Sequence, residues 1–229
     1  MIIRKKSFKL TAVFLMTIVL GRWFYGEISP FFSEGVTPAL ARGRIIVVLD
    51  AGHGGRDPGA VAKGIYEKNI NLDVAKRLAK MLKARGYHVV LTRSGDSNLV
   101  NWKDGGSYQR ASLWQRARIS KDKNASVLIS IHCNSDRNKQ YYGSQTFYHS
   151  QSTRGKNLAR AIQSEMKKVR YTRREAIPGD YYLLKNTACP TVIVELGYLS
   201  NSRELNVLCS PQFRQKYAQA IADGFSKVY

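Results

Sequence analysis

Acidic residues are scarce in this chain. Its 229 residues carry 16 Asp+Glu against 37 Lys+Arg, a formal charge of +21 at neutral pH. The excess is spread along the chain and not gathered into a tail, which fits two readings: anionic surroundings such as nucleic acid, acidic lipid or an anionic wall polymer, or simply a solvated basic surface in a lysine-rich proteome. Nucleic acid is the less favoured partner and none is expected, because no stacking motif interleaves aromatics with the basic residues. Cysteine is scarce as well. Cys133, Cys189 and Cys209 are odd in number and irregular in spacing, which excludes a disulfide framework and a cysteine metal site; each reads as a small apolar residue. There is no internal repeat and no low-complexity tract, so the 44% apolar content is available to one sizeable core.

A full-length hydrophobic run is also missing. Arg4, Lys5, Lys6 and Lys9 precede an apolar stretch from Leu10 to Gly21. Its uncharged core is about 12 residues, where a membrane-spanning helix takes about 20. Phe8 and Trp23 to Tyr25 lengthen it if Arg22 snorkels to the interface. Ala39-Leu40-Ala41 has the look of a cleavage site but lies far past the apolar stretch. The expectation is an uncleaved signal anchor over residues 1–25 and a linker over 26–43, with Pro30, Ser33, Gly35 and Pro38. An exported domain over 44–229 follows.

What is present in that domain alternates between two periods. Ile45 to Leu49 is a β-branched run that reads as a buried strand, followed by a turn with Gly52, Gly54, Gly55 and Gly59 and with His53 at its tip. Val74, Ala75, Leu78, Met81 and Leu82 repeat at helical spacing within 67–85, and Gly86 sits where a helix ends. Strands are expected over 87–92, 126–131, 143–148, 181–184 and 191–194, and helices over 109–121 and 157–169, with a last helix capped by Ser210 and carrying Pro211 in its first turn. The 109–121 helix is expected to place Leu113, Trp114 and Ala117 inside. The polar stretch 94–108 is too long for a tight connection and reads as a rim loop. The pattern predicts an α/β fold: a three-layer sandwich with a mainly parallel central sheet of about six strands flanked by helices.

Three of the buried strands lead into a polar residue that a core does not want: His53, His132 and Glu195. In a parallel sheet the carboxyl ends share one edge, where ligands bind. Glu67 begins the helix after the His53 loop and falls on the same edge. Two histidines and a carboxylate with one open position form a catalytic zinc set, and a second carboxylate can move a proton. Spacing leaves open which glutamate does which. Glu67 suits a ligand from the same segment as His53, and Glu195 a group facing the metal from another strand. Each residue has a plainer reading alone: a turn, a strand cap, a helix N-terminus, a salt-bridged strand end. Of the other histidines, His88 reads as a packing residue in its strand and His149 as a surface loop residue. Cys133 points away from whatever His132 binds, by strand alternation.

The segments LDAGHGGRDPGA, IYEKNINLDVAKRL, SIHCNS and VIVELGYLSN resemble, in order, the motifs of zinc-dependent N-acetylmuramoyl-L-alanine amidases of the Amidase_3 type. The resemblance spans residues 44–229. It implies one Zn2+ per chain held by His53, Glu67 and His132, with Glu195 as the catalytic glutamate. Asp50 and Asn134 are further candidates for orienting a ligand or binding substrate. It implies peptidoglycan glycan-peptide strands as the partner and hydrolysis of the amide between N-acetylmuramic acid and L-alanine. The short anchor, the lack of wall-binding repeats and the Gly105-Gly106-Ser107-Tyr108 stretch are most similar to the germination-specific, CwlD-type amidases of spore formers. That likeness implies a role in the spore cortex and germination, on the extracytoplasmic face of a membrane. Ala51, Cys133 and Tyr198 depart from the residues common in the family without touching a ligand or the base. The sequence names no protein activator.

Overall fold

The structure, a computed structural model, describes residues 45–100 and 107–229. The expected anchor over 1–25 and linker over 26–43 lie outside the described residues, as do Gly105 and Gly106. Among the described residues no helix is long and apolar enough to cross a membrane.

The alternation of apolar strands and amphipathic helices folds as it reads. Strands β1 (Ile46–Ala51), β4 (His88–Leu91), β5 (Val127–Asn134), β6 (Gln145–Tyr148), β7 (Ile177–Pro178) and β8 (Thr191–Tyr198) form a six-stranded sheet in the order β4-β1-β5-β8-β6-β7. β4, β1, β5 and β8 are parallel, and β6 runs antiparallel to β8. A short hairpin of β2 (Val61–Ala62) and β3 (Ile65–Tyr66) stands apart. The chain leaves β1 outward to β4 and then returns across it to β5, so the order reverses between β1 and β5. In open α/β sheets the crevice beyond such a reversal is where ligands sit.

Helices α1 (Glu67–Ala84), α3 (Thr153–Val169) and α6 (Pro211–Ser226) cover one face. Val74, Leu78, Leu82, Leu158, Ile162, Met166, Tyr217, Ile221 and Phe225 point inward there against Val47, Leu49, Ile129, Ile131, Val192 and Val194. Helices α2 (Tyr108–Asp122) and α4 (Tyr182–Asn186) lie over the opposite face, where Phe147, Leu184 and Ile193 form a small second cluster. α5 (Ser202–Cys209) packs on α6 and was not anticipated from the sequence. Its N-cap is Asn201, whose side chain accepts from the Arg203 and Glu204 amides.

Four expectations are corrected. Residues 181–184 form a helical turn, not a strand, because one turn buries both adjacent leucines, Leu183 and Leu184. The turn is closed by the Asn186 and Thr187 side chains, which donate to the Tyr182 and Leu183 carbonyls. Ala117 is buried as expected, but Trp114 is 51% exposed and Leu113 only partly buried, and α2 buries Ser112, Arg116 and Ser120 beside Ala117. The sheet beneath presents Asp50 and Ser130, so the helix turns its polar residues inward. His88 is exposed at the start of the edge strand β4, between buried Tyr87 and Val89. Ser210 stands at the N-cap of α6, yet its hydroxyl donates to the Gln212 side chain and caps no amide.

Candidate metal centre

β1 delivers the chain to the reversal point, and Gly52 then bends it across the end of β5, its amide donating to the Ile131 carbonyl. A Cβ on Gly52 would meet the His132 ring at 2.2 Å, so only glycine lets that imidazole lie against the backbone. His53 follows with φ 62°, in the left-handed region that costs a residue with a Cβ about 1–2 kcal/mol. Gly59, φ 67°, leaves the space that Glu67 and His53 occupy; a Cβ there would lie 2.5 Å from Glu67 Oε2. The glycines thus make room for imidazoles and a carboxylate.

Those groups converge. One ligand atom each from His53, Glu67 and His132 lie within 4.8 Å of one another. His53 Nε2 is 3.2 Å from Glu67 Oε2, and His132 Nδ1 is 3.0 Å from Glu67 Oε1. The two rings meet edge to face at 4.9 Å. His53 Nδ1 donates to Asp57 Oδ2 at 2.8 Å, which in the neutral ring fixes the tautomer that turns the Nε2 lone pair toward the centre. Glu67 is 3% exposed, and its oxygens accept from the Ala60 amide, the Cys133 amide and the Asn71 side chain. Burial opposes its ionisation, but hydrogen bonds from His132 and His53 outweigh burial and hold the carboxyl far below its ordinary range. Burial likewise opposes the His53 imidazolium, and the hydrogen bonds to Asp57 and Glu67 raise it to about 9. Two nitrogen donors, a carboxylate and a carboxylate behind one histidine fit a borderline divalent cation such as zinc.

Glu195 stands beside this cluster. It pairs in register with His132 across β5 and β8, so the two side chains leave the same face of the sheet, with strands about 4.8 Å apart. The carboxyl is buried, and Oε2 has no hydrogen-bond partner among the described residues. Burial pushes it up to about 7. A carboxyl that titrates near neutrality, with one oxygen uncommitted, is suited to taking and returning a proton. Past Glu195 β8 carries one extra residue relative to β5, because His132 pairs with Glu195 but Asn134 pairs with Tyr198.

Among the described residues the two remaining candidates make no hydrogen bond to the cluster. Asp50 is fully buried, and it accepts from Thr92 Oγ1 and Ser130 Oγ, each at 2.7 Å, and from Arg116. It reaches neither substrate space nor a clustered histidine by hydrogen bond. Asn134 accepts the Ser135 amide with its side chain and the Leu199 amide with its carbonyl.

Sequence reasoning missed the residues that hold the loop. Arg116 donates to the Ala51 and His53 carbonyls at 2.9 and 2.8 Å. Arg93 donates to the Ala51 and Gly52 carbonyls at 2.9 and 3.0 Å and to Lys68 O at 2.7 Å. Two buried guanidinium groups therefore bind three successive carbonyls of the segment that presents His53. From the rim, Asp96 accepts the Gly55 amide and Lys68 Nζ, and Asn98 donates to the Gly54 carbonyl. Asn71 was findable, since it lies one helical turn after Glu67. The arginines were not, because in so basic a chain an arginine signals nothing.

A donor cluster of this kind, at the reversal point of a parallel sheet and beside an uncommitted carboxyl, has the arrangement of a hydrolytic site in an open α/β fold. Residues 47–227 match Amidase_3, N-acetylmuramoyl-L-alanine amidase, and the chain belongs to that family. It is a hydrolase of the N-acetylmuramoyl-L-alanine amidase class. The germination-specific N-acetylmuramoyl-L-alanine amidase of Bacillus subtilis is 34% identical over 189 residues, covering 80% of this chain and 79% of that protein. The Bacillus subtilis amidase LytC is 32% identical, but the match covers 35% of its length. Among solved structures, the CwlD amidase of Clostridioides difficile in complex with the GerS lipoprotein is 37% identical with a TM-score of 0.77, covering 81% of this chain and 98% of that one. The catalytic domain of CwlV from Paenibacillus polymyxa is 33% identical with a TM-score of 0.70, covering 80% and 97%.

Proposed function

We propose that this amidase is zinc-dependent, that His53, Glu67 and His132 hold one Zn2+, and that Glu195 carries the proton. The observation that carries this reading is the register pairing of His132 with Glu195, which sets an uncommitted carboxyl beside three converging donor atoms. Bound zinc would supply Lewis acidity to the scissile carbonyl and to a water. Glu195, ionised, accepts the proton of the attacking water and passes it to the leaving nitrogen of L-alanine. Asp57 keeps the His53 ring in one tautomer, and the Arg93–Arg116 pair keeps its backbone in place.

The substrate in this proposal is peptidoglycan of the spore cortex, cut between N-acetylmuramic acid and L-alanine on the way to muramic-δ-lactam. Support comes from the coverage of 79% of the germination-specific relative, against 35% of LytC. The enzyme works outside the cytoplasm, tethered by its N-terminal segment; the basic residues before an apolar stretch support that placement. Mass spectrometry of muropeptides from digested sacculi, with and without chelator, tests bond and metal together. The expected products are free stem peptides, lost on chelation and restored by zinc. Cleavage at another bond, or full activity in chelator, defeats the reading.

A further inference from the structure

Where the chain emerges from β5 and from β8, two connections face each other across a cavity of 580 Å³. Lys139 and Tyr142 line it from the first connection, and Ser200 and Arg203 from the second; Arg170 closes it at the end of α3. Three of the lining side chains are cationic and none is a carboxylate. Among the described residues Arg170 forms an ion pair with the buried Glu204 at 3.5 Å. Lys139 and Arg203 are exposed, and with Arg170 they set three positive charges around a polar, open space, which an anion entering it would meet.

The cavity is joined to the catalytic edge by rigid contacts. Gln145 lies opposite Glu195 in the β6–β8 register. Arg174 donates to Gln145 Oε1 at 2.9 Å and to the Tyr142 carbonyl at 2.8 Å, and its guanidinium lies 4.8 Å over the Tyr198 ring. Beneath, Glu204 accepts the Tyr198 and Gly143 amides at 2.7 and 2.9 Å while facing Arg170. The same buried carboxylate thus fixes the strand that carries Glu195, the start of β6 and one wall of the cavity.

We infer that this cavity is a subsite for the carboxylates of the stem peptide, bound by Lys139, Arg203 and Arg170 while the peptide's first amide lies at the metal centre. The inference rests on the amidase reading. A peptide attached through its amino end extends away from the cut bond at about 3.3–3.6 Å per residue, and the connections that line the cavity follow the two strands, β5 and β8, that carry His132 and Glu195. Its acidic side chains and terminal carboxylate are the anions that charge-assisted hydrogen bonds from Lys and Arg recognise.

Kinetics on two muropeptides that differ only in stem carboxylates, free or amidated, test this with the full-length zinc-loaded chain. Wild type is expected to show a KM roughly ten- to a hundredfold lower for the free acid, the span of a charged hydrogen bond or two. Lys139→Ala with Arg203→Ala raises KM for the acid to the level of the amide and leaves kcat unchanged. Lys139→Arg with Arg203→Lys keeps the discrimination. Titration of free stem peptide, which needs no turnover, should show the same loss on amidation. Equal KM for both substrates in wild type overturns the inference, as does an equal loss on both substrates in the alanine variant. Competition by inorganic phosphate that exceeds competition by the stem peptide also overturns it and points to a phosphate polymer. If wild type cleaves neither substrate, the amidase reading falls by itself, and the titration still decides the subsite.

Discussion

The two faces of the central sheet are built on opposite rules. Under α1, α3 and α6 the buried residues are almost all apolar, from Val47 and Leu49 to Ile162 and Phe225. Under α2 the buried residues include Asp50, Thr92, Ser112, Arg116, Ser120 and Ser130, joined by hydrogen bonds and one ion pair. An apolar interior is forgiving about angles, whereas a network of charged hydrogen bonds admits few arrangements. The first face holds the fold together. The second fixes the positions of Ala51, Gly52 and His53 carbonyl by carbonyl. His132 and Glu195 leave the sheet on the same side as Asp50 and Ser130, so the chemistry stands on the specified face.

If that division holds, substitutions on the two faces separate activity from stability. The largest effect is expected from Glu195→Gln. It removes the proposed proton carrier and should lower kcat by about 10²- to 10⁴-fold. The melting temperature at pH 8 should not fall, since a buried carboxyl pushed up to about 7 is charged there at a cost to the fold. Wild-type turnover by the variant would remove Glu195 from the mechanism. Next, Leu158→Ala on the apolar face, fully buried against α6, should cost about 2–5 kcal/mol in denaturant unfolding. Zinc affinity of the folded variant should stay at the wild-type value.

The apolar face was the legible one. Val74, Leu78 and Leu82, or Ile221 and Phe225, announce themselves by period, and the strands by β-branched runs. The edge cluster was legible for the related reason that His53, His132 and Glu195 each interrupt such a run. The polar face was not. Leu113 and Trp114 looked like the inward side of α2 because periodicity assumes an apolar target, and only the sheet's own Asp50 reverses that choice. Nor does local sequence show that Arg93 and Arg116 meet, since they belong to different elements and are joined by a carbonyl ladder. Short pieces such as α4 and α5 escaped because a turn or two carries too few residues to establish a period.

Arg116→Lys probes the polar face more gently. The charge near Asp50 remains, but the fork that reaches both Ala51 and His53 is lost. His53 should then sample other backbone angles, and zinc affinity should fall about 10- to 100-fold, as for the loss of a group that orients a ligand. Competition with a chromophoric chelator measures it, with Arg118→Lys, an exposed neighbour on the same helix, as the control. An unchanged affinity in Arg116→Lys would mean that the network is scaffolding, no different from the opposite face.

The smallest effect is a pH dependence that zinc should erase. In the metal-free protein His53 is raised from 6.5 to about 9 by Asp57 and Glu67, against the opposing effect of burial. A raised imidazole pKa means the folded state binds a proton more tightly than the unfolded chain. Its stabilising contribution is complete below about 6.5 and disappears as pH climbs through about 9. The melting temperature of the chelated protein should therefore fall across that window. Zinc held as proposed would take the lone pair on Nε2 that the proton would otherwise occupy, and binding in the same window should release a proton. The holoprotein's melting temperature should accordingly be flatter from pH 6.5 to 9 than that of the chelated protein. Equal slopes with and without zinc would place the metal away from His53, and the glycine-rich turn would have to be explained as a structural element alone.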